Sequence, residues 1–183
     1  MLVRLLFLLT MVLCLPVQAQ APPLDVSVTR VTVNGADQFN VGASGTVNAV
    51  PAAVWKILTN YERHPEFVPD LKRTRVLSRT GNRAVLEQFG EAQFLIFKRD
   101  IHLVVQVTEE PISHIDVNLI EGDMKLYECR WQLVPLPDGG TRIVYTGKLV
   151  PRFYVPGALG ANIIRSDIER MMRAVLEHID GPG

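Results

Sequence analysis

Side chains able to do acid, base or ligand-holding chemistry are few and scattered in this chain of 183 residues. Arg99 shares strand parity with the apolar series Ile101, Leu103, Val105 and Val107. This parity would point its guanidinium inward to hold an anionic or carbonyl group, and the alternative is that an arginine near a strand end reaches solvent. Glu87 is a candidate general base, but both faces of its strand carry apolar residues, so the pattern leaves its direction open.

Metal and nucleophile chemistry have no support in the residue spacing. The serine elbow, the phosphate-binding loop and the dinucleotide fingerprint are absent from the sequence. Cys129, between Tyr127 and Trp131 on an alternating strand, is predicted to be a buried and inert thiol. No catalytic residue, metal ligand or cofactor is therefore predicted. The histidines also lack metal-ligand spacing, and they are His64, His102, His114 and His178.

Large apolar side chains are better candidates, because small-molecule pockets are lined mainly by hydrophobic and aromatic groups with a few polar ones. Flexible methionines suit a ligand of variable shape. For any one of these residues, simple packing in the core is the alternative. The predicted ligand-binding set is Phe67, Phe97, Arg99, Tyr127, Trp131, Tyr145, Ile164, Ile168, Met171 and Met172.

The elements that must position these residues follow from periodicity and turn signals. Val26 to Val33 is rich in β-branched residues and precedes Asn34-Gly35, which predicts a hairpin. Ala52 to Thr59 has helical periodicity, and a second short helical turn is predicted within residues 61–71. Further strands are predicted near 39–50, 72–78, 83–90, 93–108, 114–121, 125–135 and 140–150.

A long amphipathic helix is predicted from Ala158 to Ile179. Packed against a curved antiparallel sheet with one apolar face, it gives a two-layer α+β domain. A helix about 10 Å wide cannot fill the concave face of a sheet of roughly six or seven strands. Large side chains or a ligand cavity must occupy the remaining space. The apolar stripe of the helix comprises Ile164, Ile168, Met171, Met172, Val175 and Ile179.

The chain is predicted to consist of a signal peptide, residues 1–19, and a single ligand-binding domain, residues 20–183. Arg4 precedes an apolar run from Leu5 to Leu15, and Val17-Gln18-Ala19 supplies small residues for cleavage. An uncleaved anchor is the alternative. A balance of 19 basic and 19 acidic residues argues against nucleic acid as a partner, because a basic stripe is absent.

One segment carries a family resemblance. Val50-Pro-Ala-Ala-Val-Trp-Lys-Ile-Leu-Thr-Asn-Tyr-Glu-Arg-His-Pro-Glu-Phe-Val-Pro69 resembles the opening signature of START-like, helix-grip proteins, and more narrowly the polyketide cyclase/dehydrase and coenzyme-Q-binding group. Gly122-Asp123-Met124 and Gly139-Gly140-Thr141 agree with this resemblance. It implies a curved antiparallel sheet wrapped around a long C-terminal helix, two short helices after the first strands, and a cavity for a lipid, quinone or polyketide.

Three functions stay open, and one of them is an envelope interaction protein whose cavity has collapsed. The favoured one is a non-catalytic carrier of an apolar small molecule, exported to the periplasm. The alternative is an enzyme of the cyclase, aromatase or dehydratase type, which would need an inward-facing acid or base. Residues 152–156, with two aromatics beside Arg152, could contact a membrane transiently or simply pack as a corner. The oligomeric state is left open.

Overall fold

A computed structural model describes residues 23–94, 97–155 and 157–181. The predicted signal peptide lies outside the described residues. The elements in chain order are β1 (Leu24–Val33), β2 (Ala36–Val47), α1 (Pro51–Leu58), a 3₁₀ helix (Tyr61–Glu66), β3 (Leu71–Thr80), β4 (Arg83–Phe94), β5 (Phe97–Glu110), β6 (His114–Gly122), β7 (Met124–Pro135), β8 (Thr141–Pro151) and α2 (Gly157–Asp180).

The strands form one antiparallel sheet in the order β1-β2-β8-β7-β6-β5-β4-β3. The chain crosses once, from β2 through the two short helices to the far edge at β3, and then returns as a meander of hairpins. The sheet is curved and unclosed, and the long C-terminal helix packs on its concave face. The predicted α+β helix-grip fold is confirmed. The predicted interruption at residues 91–92 is wrong, because β4 pairs with β5 as far as Phe94 and Phe97.

Alternation along the strands determines which side chains form the core. Ile101, Leu103, Val105 and Val107 of β5 face the concave side, as predicted from their parity. In β2 the residues at odd positions from Phe39 to Val47 are all buried. Two-residue alternation puts one set of side chains in the core and leaves the other set on the convex face.

Helix α2 buries its predicted apolar stripe, with Ile168, Met172, Val175 and Ile179 in the core. Its backbone lies closest to β1 and β2. Gly45 of β2 makes this approach possible, because a Cβ at that position would collide with the Leu176 side chain.

Two polar contacts fix the C-terminal end and the middle of α2. Asp180 accepts a hydrogen bond of 2.9 Å from the backbone N–H of Asn48, which ties the helix end to the chain just after β2. Near the middle, the Arg170 guanidinium donates to the Asp70 carboxylate at 2.8 Å. The helix is therefore held against one part of the sheet and against the turn before β3.

Candidate ligand-binding cavity

A cavity of about 210 Å³ lies between α2 and strands β4 to β7. Met171 and Val175 of α2 form one wall. The 3₁₀ helix and the turn after it form a second wall with Tyr61, His64 and Phe67. The sheet supplies the largest wall, comprising Leu86, Gln88, Gly90, Ile101, Leu103, Val105, Val107, Ile115, Val117, Tyr127, Cys129 and Trp131.

The position of the cavity follows from the off-centre packing of α2 on the sheet. Because α2 lies against β1 and β2, it stands away from the strands on the other side of the sheet. One helix about 10 Å across does not reach both sides of a curved sheet of this width. The sequence argument for a space beside the helix therefore agrees with the geometry.

Four of the predicted ligand-binding residues line this cavity: Phe67, Tyr127, Trp131 and Met171. Neighbouring rings hold two of them in place. The Phe67 ring stacks on His178 with a centroid separation of 4.0 Å, which joins the segment after the 3₁₀ helix to α2. The Trp131 ring meets Tyr145 edge to face at 4.9 Å. These contacts set the shape of an aromatic cavity wall.

Other predicted residues lie close to the cavity without lining it. Tyr145, Ile168 and Met172 are buried in the core, and Ile164 packs against that core while half-buried. They support the residues that face the space. The side chain of Phe97 lies outside the described residues.

Arg99 does not point into the cavity, so the inward direction predicted from its strand parity is wrong. Its side chain is 52% exposed, with the guanidinium 4.7 Å from the centre of the Phe153 ring and 4.0 Å from Asp123. Arg99 is the third residue of β5, and it precedes Ile101, the first residue of this strand that lines the cavity. At a strand end, a long cationic side chain can reach solvent whatever its parity.

The sequence left open which face of β4 points to the cavity, and in the structure it is the face that carries Gln88. Ala84, Leu86 and Gln88 face the concave side, with Ala84 and Leu86 buried. Glu87 lies on the convex face, where it is 3.3 Å from the ring of His102. It therefore cannot act as a general base on a molecule inside the cavity.

A cluster of three weakly polar groups lies in the sheet wall, formed by Tyr127, Cys129 and Tyr145. The Cys129 thiol lies 3.9 Å from the Tyr127 hydroxyl. Burial raises the pKa of the Cys129 thiol to about 11. The pKa of Tyr127 is raised well above its ordinary value by the neighbouring Cys129 and by burial. Burial, with Cys129 and Tyr127 nearby, does the same to the pKa of Tyr145. All three groups are therefore protonated and uncharged at neutral pH.

Sequence reasoning missed the wall that the 3₁₀ helix forms. The Tyr61 hydroxyl donates to the Glu109 carboxylate at 2.7 Å, and Arg79 lies 3.0 Å from the same carboxylate. Burial and the Glu109 carboxylate raise the pKa of Tyr61. The ring of His64 donates from Nε2 to the Leu58 carbonyl oxygen at 3.1 Å, and burial lowers the pKa of this histidine. A neutral imidazole therefore faces the cavity.

The described part of the chain shows neither a metal centre nor a membrane-crossing helix. Over residues 23–94, 97–155 and 157–181, no three His, Cys, Asp or Glu side chains are grouped as metal ligands. Within the same ranges, no helix is both long enough and apolar enough to cross a bilayer.

An antiparallel sheet wrapped around a C-terminal helix, with an apolar cavity between them, is the architecture of the START-like, helix-grip class. Residues 47–176 match the family model described as polyketide cyclase/dehydrase and lipid transport. The chain belongs to this family. A comparison with curated protein sequences found no significant match.

Solved structures with this fold include lipid-transfer proteins and aromatase/cyclases. A STAR-related lipid transfer protein from Xanthomonas axonopodis matches with a TM-score of 0.70 and 17% identity, over 88% of this chain and 100% of that one. The Zhui aromatase/cyclase from a Streptomyces species matches with a TM-score of 0.65 and 16% identity, over 78% and 91%. Human StAR-related lipid transfer protein 5 matches with a TM-score of 0.64 and 15% identity, over 88% of each chain.

Proposed function

We propose that this protein is an exported carrier that holds an apolar small molecule between α2 and the sheet. The observation that carries the proposal is the cavity itself, whose described lining is aromatic and aliphatic apart from a few uncharged polar groups. Transferring apolar surface from water into such a space is favourable by roughly 25 cal/mol per Å². The family, which includes lipid transport, is consistent with this activity.

The absence of charged side chains from the described lining favours a carrier over an enzyme. No Asp, Glu, Lys or Arg is found among the described residues that line the cavity. Glu87 and Arg99, the two sequence candidates for chemistry, lie outside it. A cyclase, aromatase or dehydratase activity is the second candidate, and the buried phenol of Tyr127 is its best proton donor. That phenol lies next to the Cys129 thiol and the Tyr145 phenol, the pKa of each of these three groups is raised, and Tyr127 is therefore a weak acid.

Export to the periplasm is the part of the proposal that depends on the N-terminal sequence. The apolar run from Leu5 to Leu15 and the small residues around Ala19 support a cleaved signal peptide. Removing residues 1–19 would also remove Cys14 and leave Cys129 as the remaining cysteine. The mature domain would then depend on its core for stability, without an internal disulfide.

Transient contact with a membrane would give the ligand a route into and out of the protein. Tyr154, between β8 and α2, is 84% exposed, and Arg152 beside it is also exposed. An exposed aromatic ring next to a cation suits the interface between lipid headgroups and acyl chains. Val155 packs into the core, so the membrane-facing part of this segment is limited to the residues around Tyr154.

Native mass spectrometry of the protein isolated from periplasmic extract tests the proposal. We expect a bound apolar compound that is released by organic solvent. Val117→Phe should reduce its occupancy, because Val117 lines the cavity and the added ring occupies the space. Asn118→Phe adds the same ring at the next, exposed position and serves as the matched control. Protein recovered from the cytoplasm, or without any bound compound, would contradict export or carriage respectively.

A turnover assay distinguishes the enzyme from the carrier. Incubation of the protein with the compound that it carries should return that compound unchanged. A product that forms with the wild-type protein and not with Tyr127→Phe would instead support the enzyme.

A further inference from the structure

The lining of the cavity changes from buried to partly exposed along the strands. On β5, Val105 is fully buried, whereas Ile101, four residues nearer the start of the strand, is partly exposed. Ile101 is paired with Gly90 of β4, and Gly90 is paired with Leu71 of β3, so the partly exposed lining forms a row across three strands. On the helix side, Met171 is partly exposed as well. The mouth of the cavity is therefore defined by Leu71, Gly90, Ile101 and Met171.

One ion pair joins the two sides of this mouth. Asp70 immediately precedes Leu71 at the start of β3, and Arg170 immediately precedes Met171 on α2. The Arg170 guanidinium donates to the Asp70 carboxylate at 2.8 Å and to the carboxylate of Asp167, on the same helix, at 2.6 Å. The pair with Asp70 thus connects the sheet side of the mouth to the helix side.

The turn that carries Asp70 is fixed to the sheet through its backbone. The carbonyl oxygen of Asp70 accepts a hydrogen bond of 2.8 Å from the backbone N–H of Glu91 on β4. Gly90 allows this close approach, because a Cβ at that position would lie 2.8 Å from the same carbonyl oxygen. With the backbone held on the sheet, the Asp70 side chain is the part that can release α2.

Polar groups without partners lie beside the ion pair. Among the described residues, the buried side-chain nitrogen and oxygen atoms that lack a hydrogen bond are the Nε of Arg170 and the Oγ1 of Thr74. Thr74 is 5% exposed, and on β3 it is paired with the cavity-lining Gln88. A buried polar group without a partner costs free energy, and solvent entering between α2 and β3 would supply one. The closed arrangement is thus opposed at the place where the ion pair holds it.

A second contact between the segment before β3 and α2 is the stack of Phe67 on His178. The two contacts differ in their response to salt, because salt screens an ion pair and does not weaken a contact between uncharged rings in the same way. The side chains of Asp70 and Arg170 are 32% and 41% exposed, so dissolved ions reach this pair. Salt dependence therefore distinguishes the ion pair from the ring stack.

We infer that the Asp70–Arg170 ion pair holds the mouth of the cavity closed and opens each time the apolar molecule enters or leaves. This inference rests on the proposed carrier function and concerns the regulation of the same site. Neither side chain lines the cavity, so the pair stabilises the closed protein equally with and without a bound molecule. It therefore controls the rates of entry and release and leaves the affinity unchanged.

Stopped-flow fluorescence with N-phenylnaphthylamine, an uncharged apolar probe, measures both rates. Asp70→Asn removes the charge and keeps a residue type that tolerates the positive φ at this position. Entry and release should both become about two- to fivefold faster, the range for a partly exposed ion pair, with the Kd within about twofold of the wild-type value. The unchanged Kd also shows that the variant is folded.

Asp180→Asn is the matched control, because Asp180 is the other carboxylate that ties α2 to the rest of the chain. It accepts hydrogen bonds from Asn48, next to β2 and away from the mouth. The same substitution there should leave both rates at the wild-type values.

The partner side of the ion pair has its own matched set. Arg170→Gln should speed entry and release to the same extent as Asp70→Asn. Arg173→Gln removes a guanidinium from the same helix, where it pairs with Glu169, and should change neither rate. Raising the salt concentration should speed exchange in the wild type and have little effect on exchange in Asp70→Asn.

Wild-type rates in both Asp70→Asn and Arg170→Gln, or an equal acceleration in Asp180→Asn, would overturn the inference, while binding of the probe would still support carriage. If the probe does not bind, transfer of the carried compound to phosphatidylcholine vesicles, followed by native mass spectrometry, gives the release rates for the same comparison. A protein that binds no probe and carries no compound would contradict the carrier function and this inference together.

Discussion

Two groups of strands in the same sheet differ in how closely they contact α2. On the packed side, β1 and β2, the backbone of α2 approaches closely and Leu176 is fully buried over Gly45. On the cavity side, β4 to β7, Met171 and Val175 face an open space. The stability of the helix and the space for a ligand are thus supplied by different strands. This separation would allow a ligand to enter and leave without displacing the contacts of α2 with β1 and β2.

The packed side and the cavity side should differ most in how much stability is lost when a side chain is truncated. Leu176→Ala should lower the free energy of unfolding by about 3 kcal/mol, because it opens a hole in a closely packed region. Met171→Ala should cost about 1 kcal/mol, because this side chain already borders an open space. Urea unfolding measures both. Equal costs would mean that the two sides are equally well packed.

Enlarging the side chain at Gly45, where α2 comes close to β2, should have the next largest effect on stability. Gly45→Leu should destabilise the protein by about 2 kcal/mol, because the new side chain must displace Leu176. Ser44→Leu, the neighbouring residue on the convex face, is the control and should change stability by less than about 0.5 kcal/mol. A tolerated Gly45→Leu would show that α2 is not pressed against β2.

The pH dependence of stability tests the neutral histidine on the cavity side. The folded protein holds the pKa of His64 below its ordinary value of 6.5, so protonation favours the unfolded chain. The stability linked to neutral His64 is present above pH 6.5 and is lost as the pH falls through the lower, folded-state pKa. Between pH 7.5 and pH 5, the free energy of unfolding should therefore fall more in the wild type than in His64→Gln.

Comparison with His64→Gln is needed because another group acts in the opposite direction. Burial raises the pKa of Asp167, so acidification relieves the cost of its charge in the folded state. Asp167 is present in both proteins and its contribution cancels in the difference. Parallel pH profiles would contradict the assignment of a buried, neutral imidazole at position 64.

The smallest effect on stability is expected at Arg99, which lies outside both the packed side and the cavity side. Arg99→Ala should change stability by less than about 0.5 kcal/mol, because its contact with Phe153 is exposed to solvent. The affinity for the apolar compound that the protein carries should stay within about twofold of the wild-type value. A tenfold loss of affinity would show that the guanidinium reaches the bound molecule.

Much of this comparison could be predicted from the sequence. Strict alternation in β5 and β7 assigns Val105 and Tyr127 to the concave face, and the 3.6-residue period of α2 identifies Met171 and Val175. The mismatch between a single helix and a broad sheet predicts that some space is left over. These inferences depend on regular elements, whose geometry is the same wherever they occur.

What could not be predicted lies where regular periodicity ends or is ambiguous. Tyr61 and His64 lie in a short 3₁₀ helix interrupted by Pro65, so no period assigns them to a face. Arg99 lies near a strand end, where parity does not determine where a long side chain goes. Gln88 and Glu87 occupy a strand with apolar residues on both faces, and only the pairing with β5 separates them.

Xenon binding to crystals of the protein tests the central claim directly, because xenon enters apolar cavities of this size. The account predicts xenon density between Met171 and Tyr127, and its loss in Val117→Phe. No density there, with α2 in contact with β4 to β7, would contradict the account.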